Sequence, residues 1–165
     1  MRPYWFGEAE ALLEIPLSIG YAGLFSHRGG LAYPLTMNAR LKALHVPGIL
    51  ARLHLIERIS LTPEGISFEE QRRLTRALLR EGQRIFNFTY HSPSLAPGNT
   101  PYVRNDADLR AFLRRIEEYL EFFLGEVGGR PATPFDVKAL AERWSPPSQN
   151  ASVSDLKPAC LPSGK

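Results

Sequence analysis

The clearest alternation in the chain lies at residues 84–91, RIFNFTYH. Read with the period of two that a strand imposes, Phe86, Phe88 and Tyr90 point to one face and Asn87, Thr89 and His91 to the other. A second alternating run, LLEIPLSIGY at 12–21, groups Leu13, Ile15, Leu17 and Ile19 opposite Glu14, Ser18 and Gly20. A third, IERISL at 56–61, is shorter. Each run predicts a strand, the first two with one apolar face and one small or polar face.

Between the strands the period lengthens to that of a helix. Residues 35–54 read as a helix interrupted around Val46-Pro47-Gly48, with Pro47 suited to the first position of a second helix. In SFEEQRRLTRALLREG (67–82), Ser67 and Glu70 form a capping box, Leu74, Ala77 and Leu78 form the apolar stripe, and Gly82 stops the helix. The strongest pattern runs over 106–124. Leu109, Phe112, Leu113, Ile116, Tyr119, Leu120, Phe123 and Leu124 recur at helical spacing behind an N-cap at Asn105. A last helix starts at Thr133-Pro134 and runs to about Trp144. From Ser145 the chain is rich in proline and serine and predicts a disordered tail, so the folded domain spans 1–144 and the tail 145–165.

Strand, helix, strand, helix, strand, helix is the order of an α/β protein with a parallel sheet. Helices then cover the Phe86/Phe88/Tyr90 side, and the polar side lines the interior or mouth of a barrel. Ligands in such folds sit at the carboxyl ends of the strands, where His91 falls.

Composition narrows the function classes. The 165 residues are 44% hydrophobic and 22% charged, ordinary for one globular domain. A net charge of +3, with basic and acidic residues interleaved, gives no stripe for nucleic acid. The single cysteine, Cys160, excludes an intrachain disulfide and a cysteine-based metal cluster, and reads as a tail thiol. No apolar run approaches the ~18–20 residues of a membrane span, and the acidic residues near the N-terminus interrupt any signal-peptide core. The expectation is a cytoplasmic protein with no membrane or nucleic-acid partner.

The strand exit at His91 opens into HSPSLAPGNTPY, about twelve residues without a regular period, a length that is usually functional or disordered. Tyr90, Tyr102 and the prolines stiffen it and favour function. Its far end caps the next helix through Asn105 and Asp108, with Arg104 placed to pair with Asp106 or Asp108. Glu14, an acid on the small face of its strand, needs water or a partner. It is either a carboxylate at the site mouth, near substrate or orienting His91, or a solvated or salt-bridged strand residue. His27, His45 and His54 show no metal-ligand spacing and read as loop, surface or packing residues.

LLEIPLSIGY, the segment from Leu61 to Phe123 and GGRPATPFDV (128–137) together resemble the C-terminal half of polysaccharide deacetylases. These are family 4 carbohydrate esterases of the NodB-homology type, and the resemblance is to the WalW-like branch associated with lipopolysaccharide biosynthesis. It spans about residues 3–143, and HSPSLAPGNTPYVR is its specific part. It implies a distorted (β/α) barrel that removes N-acetyl groups from amino sugars with a divalent cation, usually zinc. In that family an Asp and a His-x-x-x-His segment hold the metal, a neighbouring Asp is the general base, and a His in a Leu-x-x-His-like strand end is the general acid. FTYH matches the last motif with Phe88 in the Leu position, so the resemblance implies that His91 is the general acid. Histidine suits proton donation near neutral pH as a C–N bond breaks. Ser92, Asn99 and Tyr102 are then the candidates for contacting sugar, the aromatic ring by stacking.

The chain contains no His-x-x-x-His, and its three strand segments amount to about half a barrel, since a complete eight-stranded one takes roughly 250 residues. The expectation is a partial deacetylase domain carrying the acid histidine and substrate loop, without metal ligands or general base, and inactive alone. The alternatives are a metal-free carbohydrate-binding remnant, or a subunit that completes a barrel with a missing N-terminal half or partner chain.

Overall fold

The computed structural model describes residues 3–7, 12–23, 53, 55 and 57–144. Apart from Leu53, which lies in a turn, the helix expected over 35–54 lies outside them, as do His27, His45, His54, Cys160 and the tail from Ser145. In chain order the elements are β1 (Tyr4–Phe6), β2 (Leu12–Glu14), β3 (Ile19–Ala22), β4 (Glu57–Ser60), α1 (Phe68–Arg80), a 3-10 turn (Ser92–Leu95), α2 (Asp106–Glu121) running into a π-helical turn (Phe122–Glu126), and α3 (Pro134–Trp144). They fall into two compact units, one within 16–131 and one formed by 3–15 with the chain from 132. None of the described helices is long and apolar enough to cross a membrane.

In the smaller unit β1 and β2 pair antiparallel, with Tyr4 opposite Glu14 and Phe6 opposite Leu12. The α3 helix begins where Thr133-Pro134 predicts. Thr133 and Asp136 bond reciprocally, the Thr133 amide donating to Asp136 Oδ2 at 2.8 Å and the Asp136 amide to Thr133 Oγ1 at 3.3 Å. Lys138 lies over the Trp5 ring, 5.9 Å from its centroid.

In the larger unit β3 and β4 pair antiparallel, Ile19 opposite Ser60 and Ala22 opposite Glu57. The β-α alternation predicts parallel strands. Element order does not fix direction, however, and the connection from Ala22 to Glu57 leaves and re-enters at the same end of the pair. The single strand expected over 12–21 is interrupted between Glu14 and Ile19. Pro16 sits in the gap and has no N–H to give to a ladder. Ser18 and Ala22 are buried, whereas Leu17 is exposed. A β-carbon on Gly20 would meet Leu78 Cδ2 at 2.7 Å and Leu74 Cδ1 at 3.0 Å. The small face is the one α1 lies on, and it is small so that the helix can approach.

Helix α1 forms as its sequence predicts. The Ser67 amide donates to Glu70 Oε2 at 2.8 Å and the Glu70 amide to Ser67 Oγ at 3.4 Å, and Leu74, Ala77 and Leu78 are buried. Arg73 donates to Glu57 of β4 through Nε at 3.1 Å and Nη2 at 2.5 Å. Asn105 caps α2, accepting from the Asp108 amide at 2.9 Å, and Arg104 pairs with Asp108 at the same distance.

Residues 84–91 run extended without joining a ladder. Every second amide along one edge is anchored, Asn87 to Ser18 Oγ at 2.8 Å and Thr89 to the Leu61 carbonyl at 3.2 Å. The aromatic side packs on α2 as the alternation predicts. Phe88 stacks on Tyr119 at 4.6 Å between centroids, while Tyr90 meets Phe112 and Phe86 meets Phe123 edge-on. Phe86, Phe88, Tyr119 and Phe123 close a core with Ala22, Ile59, Leu61, Leu74, Leu78 and Phe122. Burial pushes the Tyr119 hydroxyl up to about 12, against its 3.2 Å bond to Thr75 Oγ1.

Candidate active site

The site grows out of a turn, TPEGI at 62–66, between β4 and α1. Gly65 takes φ +72°, a left-handed conformation that favours glycine and lets the chain fold back. Gln71, the first buried residue of α1, reaches back and braces both ends of the turn. Its Nε2 donates to the carbonyls of Thr62 at 2.9 Å and Ile66 at 3.3 Å. Between these anchors the Glu64 amide donates to Thr62 Oγ1 at 3.2 Å. The Glu64 side chain is turned inward and only 6% exposed.

That buried carboxylate meets the loop after residue 90. Oε2 lies 2.7 Å from His91 Nδ1; Oε1 accepts the His91 amide at 3.1 Å and the Ser94 hydroxyl at 2.5 Å. Ser94 is fully buried. Its one proton goes to the carboxylate, so the hydroxyl of Thr100, 3.1 Å away, is the donor in their contact. Burial pushes the Glu64 carboxyl up. The Ser94 hydroxyl, then the His91 ring and amide, outweigh it and hold the group below its ordinary value. An ionised carboxylate accepts only, so Nδ1 of the neutral imidazole carries the proton and Nε2 carries a lone pair. The ring is otherwise open, with 79% of the side chain exposed.

The loop that carries these groups has its own hydrogen bonds. Ser92–Leu95 form a 3-10 turn in which the Ser94 amide donates to the His91 carbonyl at 2.9 Å. Farther on, the Gly98 amide donates to the Val103 carbonyl at 2.8 Å, with Val103 fully buried beneath. The Tyr102 ring is half-exposed and lies over Gly65, 3.4 Å from the point a β-carbon there would occupy. His91, Ser94, Thr100 and Tyr102 are thus gathered at the turn bearing Glu64. Ser92 and Asn99 are exposed on the same loop.

The carboxylate bonded to the His91 ring and amide is Glu64. Glu14 stands half-buried in β2 of the smaller unit, opposite Tyr4. Glu64 and Ser94 are the residues the sequence reading misses. The one local signal was an acid between Pro63 and Gly65, a tight turn just ahead of a capped helix, and nothing in that spacing points to a histidine 27 residues away. Among the described residues no group of three His, Cys, Asp or Glu side chains could hold a metal ion. No protein-family model, curated protein or solved structure matches the chain.

Proposed function

We propose that this chain carries the proton-transfer part of a polysaccharide deacetylase-type site, in a partial (β/α) barrel domain acting on N-acetylated amino sugars of a surface polysaccharide or lipopolysaccharide precursor. The observation that supports it is the His91 imidazole, held at Nδ1 by the buried Glu64 carboxylate and open at Nε2. Such a pair suits general acid–base work. With a second proton at Nε2, His91 gives it to the leaving amine nitrogen as the C–N bond breaks. Glu64 keeps Nδ1–H in place throughout and does not exchange the proton itself. Tyr102 offers a half-exposed ring beside the pair for stacking on a pyranose face.

The family's chemistry also uses a divalent cation. The described residues supply no ligand set for one, and no step above runs through a metal. The sequence contains no His-x-x-x-His, so the chain by itself is expected to release no acetate while still recognising the glycan. Two measurements test this: acetate release from an N-acetylated oligosaccharide with zinc, and the imidazole NMR signals of His91 during titration with the same oligosaccharide. The expected results are turnover no higher than in His91→Ala and a saturable shift of the His91 signals. Turnover above that variant overturns the partial-site reading. Unmoved His91 signals at saturating glycan overturn the assignment of the site.

A further inference from the structure

Helix α2 carries more apolar surface than the described neighbouring elements cover. Phe112 and Tyr119 are buried, followed by Phe122 in the π-helical turn. Beside them lies a shoulder on which Leu113, Leu120 and Leu124 remain 45%, 42% and 43% exposed. Leu109 and Ile116 are half-buried along the same line. Positions 109, 113, 116, 120 and 124 form a continuous seam of the kind that pairs helices. At ~1.5 Å per residue it is about 22 Å long.

The charges along this seam are ordered. Arg110 and Arg114 come first, then Glu117 and Glu121, all exposed. Among the described residues none of the four is in a salt bridge. Two copies of α2 packed parallel about a two-fold axis along the helices would carry these four charges on opposite sides of the seam, where they meet none of their counterparts. Packed antiparallel, Arg110 and Arg114 of each copy come opposite Glu117 and Glu121 of the other, with the leucines between. We propose that this shoulder is the contact between two copies of the chain, joined antiparallel about a two-fold axis across α2.

The dimension sets the strength. A strip about 22 Å long and roughly one helix diameter (~10 Å) wide covers a few hundred Å² per copy. Stable complexes bury about 800 Å² per partner, so this dimer belongs to the weak, reversible class.

Sedimentation velocity of the full chain, from micromolar to near-millimolar concentration, reads the equilibrium directly. A concentration-dependent dimer is expected, at least tenfold weaker in Leu120→Lys. Arg110→Glu/Arg114→Glu and Glu117→Arg/Glu121→Arg are each expected to be monomeric alone and to form a mixed dimer when combined. Because the exchanged side chains are exposed, the charge-swap pair keeps the test valid if Leu120→Lys does not fold. A monomer at every concentration overturns the proposal, as does a dimer unaffected by Leu120→Lys or a mixture that associates no better than its parts.

Discussion

Ser94→Ala isolates the interaction on which the site geometry turns. The hydroxyl is fully buried and donates to a carboxylate that is itself 6% exposed. A hydrogen bond to a charged group contributes about 1.5–3 kcal/mol, and a neutral one about 1 kcal/mol. Near pH 7 the substitution should therefore cost about 2 kcal/mol. The Glu64 carboxylate keeps its two bonds from His91, and Thr100, which is only half-buried, can turn its hydroxyl to water.

The pH dependence follows from the sign of the shift. Glu64 is held below its ordinary value in the folded state, so its ionised form stabilises the fold above the unfolded pKa of ~4.3. That contribution is lost as pH falls through the folded pKa. Burial pulls the other way, and Ser94 is the largest of the groups opposing it. Removing the hydroxyl raises the Glu64 carboxyl, so the difference between the two proteins should be largest near neutrality. It should shrink towards about 1 kcal/mol once the pH falls below the folded pKa of Glu64, where only a neutral hydrogen bond is left to lose.

Urea unfolding followed by far-UV circular dichroism near pH 7 and near pH 3 measures both quantities. Tryptophan fluorescence would not, because Trp5 and Trp144 both belong to the smaller unit. Ser92→Ala, on the exposed side of the same turn, serves as a control and should stay within about 0.5 kcal/mol. A Ser94→Ala loss below about 0.5 kcal/mol near pH 7, or one that is equal at both pH values, would refute the reasoning.

Two further substitutions probe the packing that positions this site. Gly20→Val drives carbon into the side chains of Leu74 and Leu78 and should cost about 1–3 kcal/mol by overpacking, seen as a lower urea midpoint. Tyr119→Phe should cost about 1 kcal/mol at neutral pH through its bond to Thr75. It should also remove a loss of stability that the parent protein shows above about pH 10, where an unfolded tyrosine ionises but the folded one, held up to about 12, does not. Melts across that range settle the point.

The helices were legible in the sequence because their signals are local. Ser67 with Glu70, Asn105 with Asp108, and Thr133 with Pro134 each fix an end within four residues. The aromatic side of 84–91 was legible for the same reason, since three large rings at alternate positions must face a helix. The run at 12–21 was legible only in part, because alternation locates two faces without saying which one is covered. Gly20 and Ala22 give α1 room to sit close, and only the packing of the helix selects their face. The α2 stripe was legible in part for another reason. Helical spacing identified the apolar positions, and the neighbouring elements cover only part of them. The partner of His91 was beyond local reading altogether, because it depends on how the 62–66 turn and the 91–100 loop meet.

Their meeting is determined by few groups. Ser18 accepts the Asn87 amide and the Gln83 side chain on its hydroxyl, and the Leu61 amide on its carbonyl. One buried serine thereby sets the end of the β3–β4 pair and the course of 84–91, and so the point where His91 emerges. Gln71 fixes the opposing turn from the first turns of α1. A solvent-exposed histidine would ordinarily sample several rotamers. Here its backbone amide and its ring bond to the two oxygens of the same carboxylate, so moving the ring away from Glu64 abandons only one contact while the other still holds the loop. The ring can open and return without unfolding the loop, and the bond to Nδ1 sets where Nε2 points each time it closes.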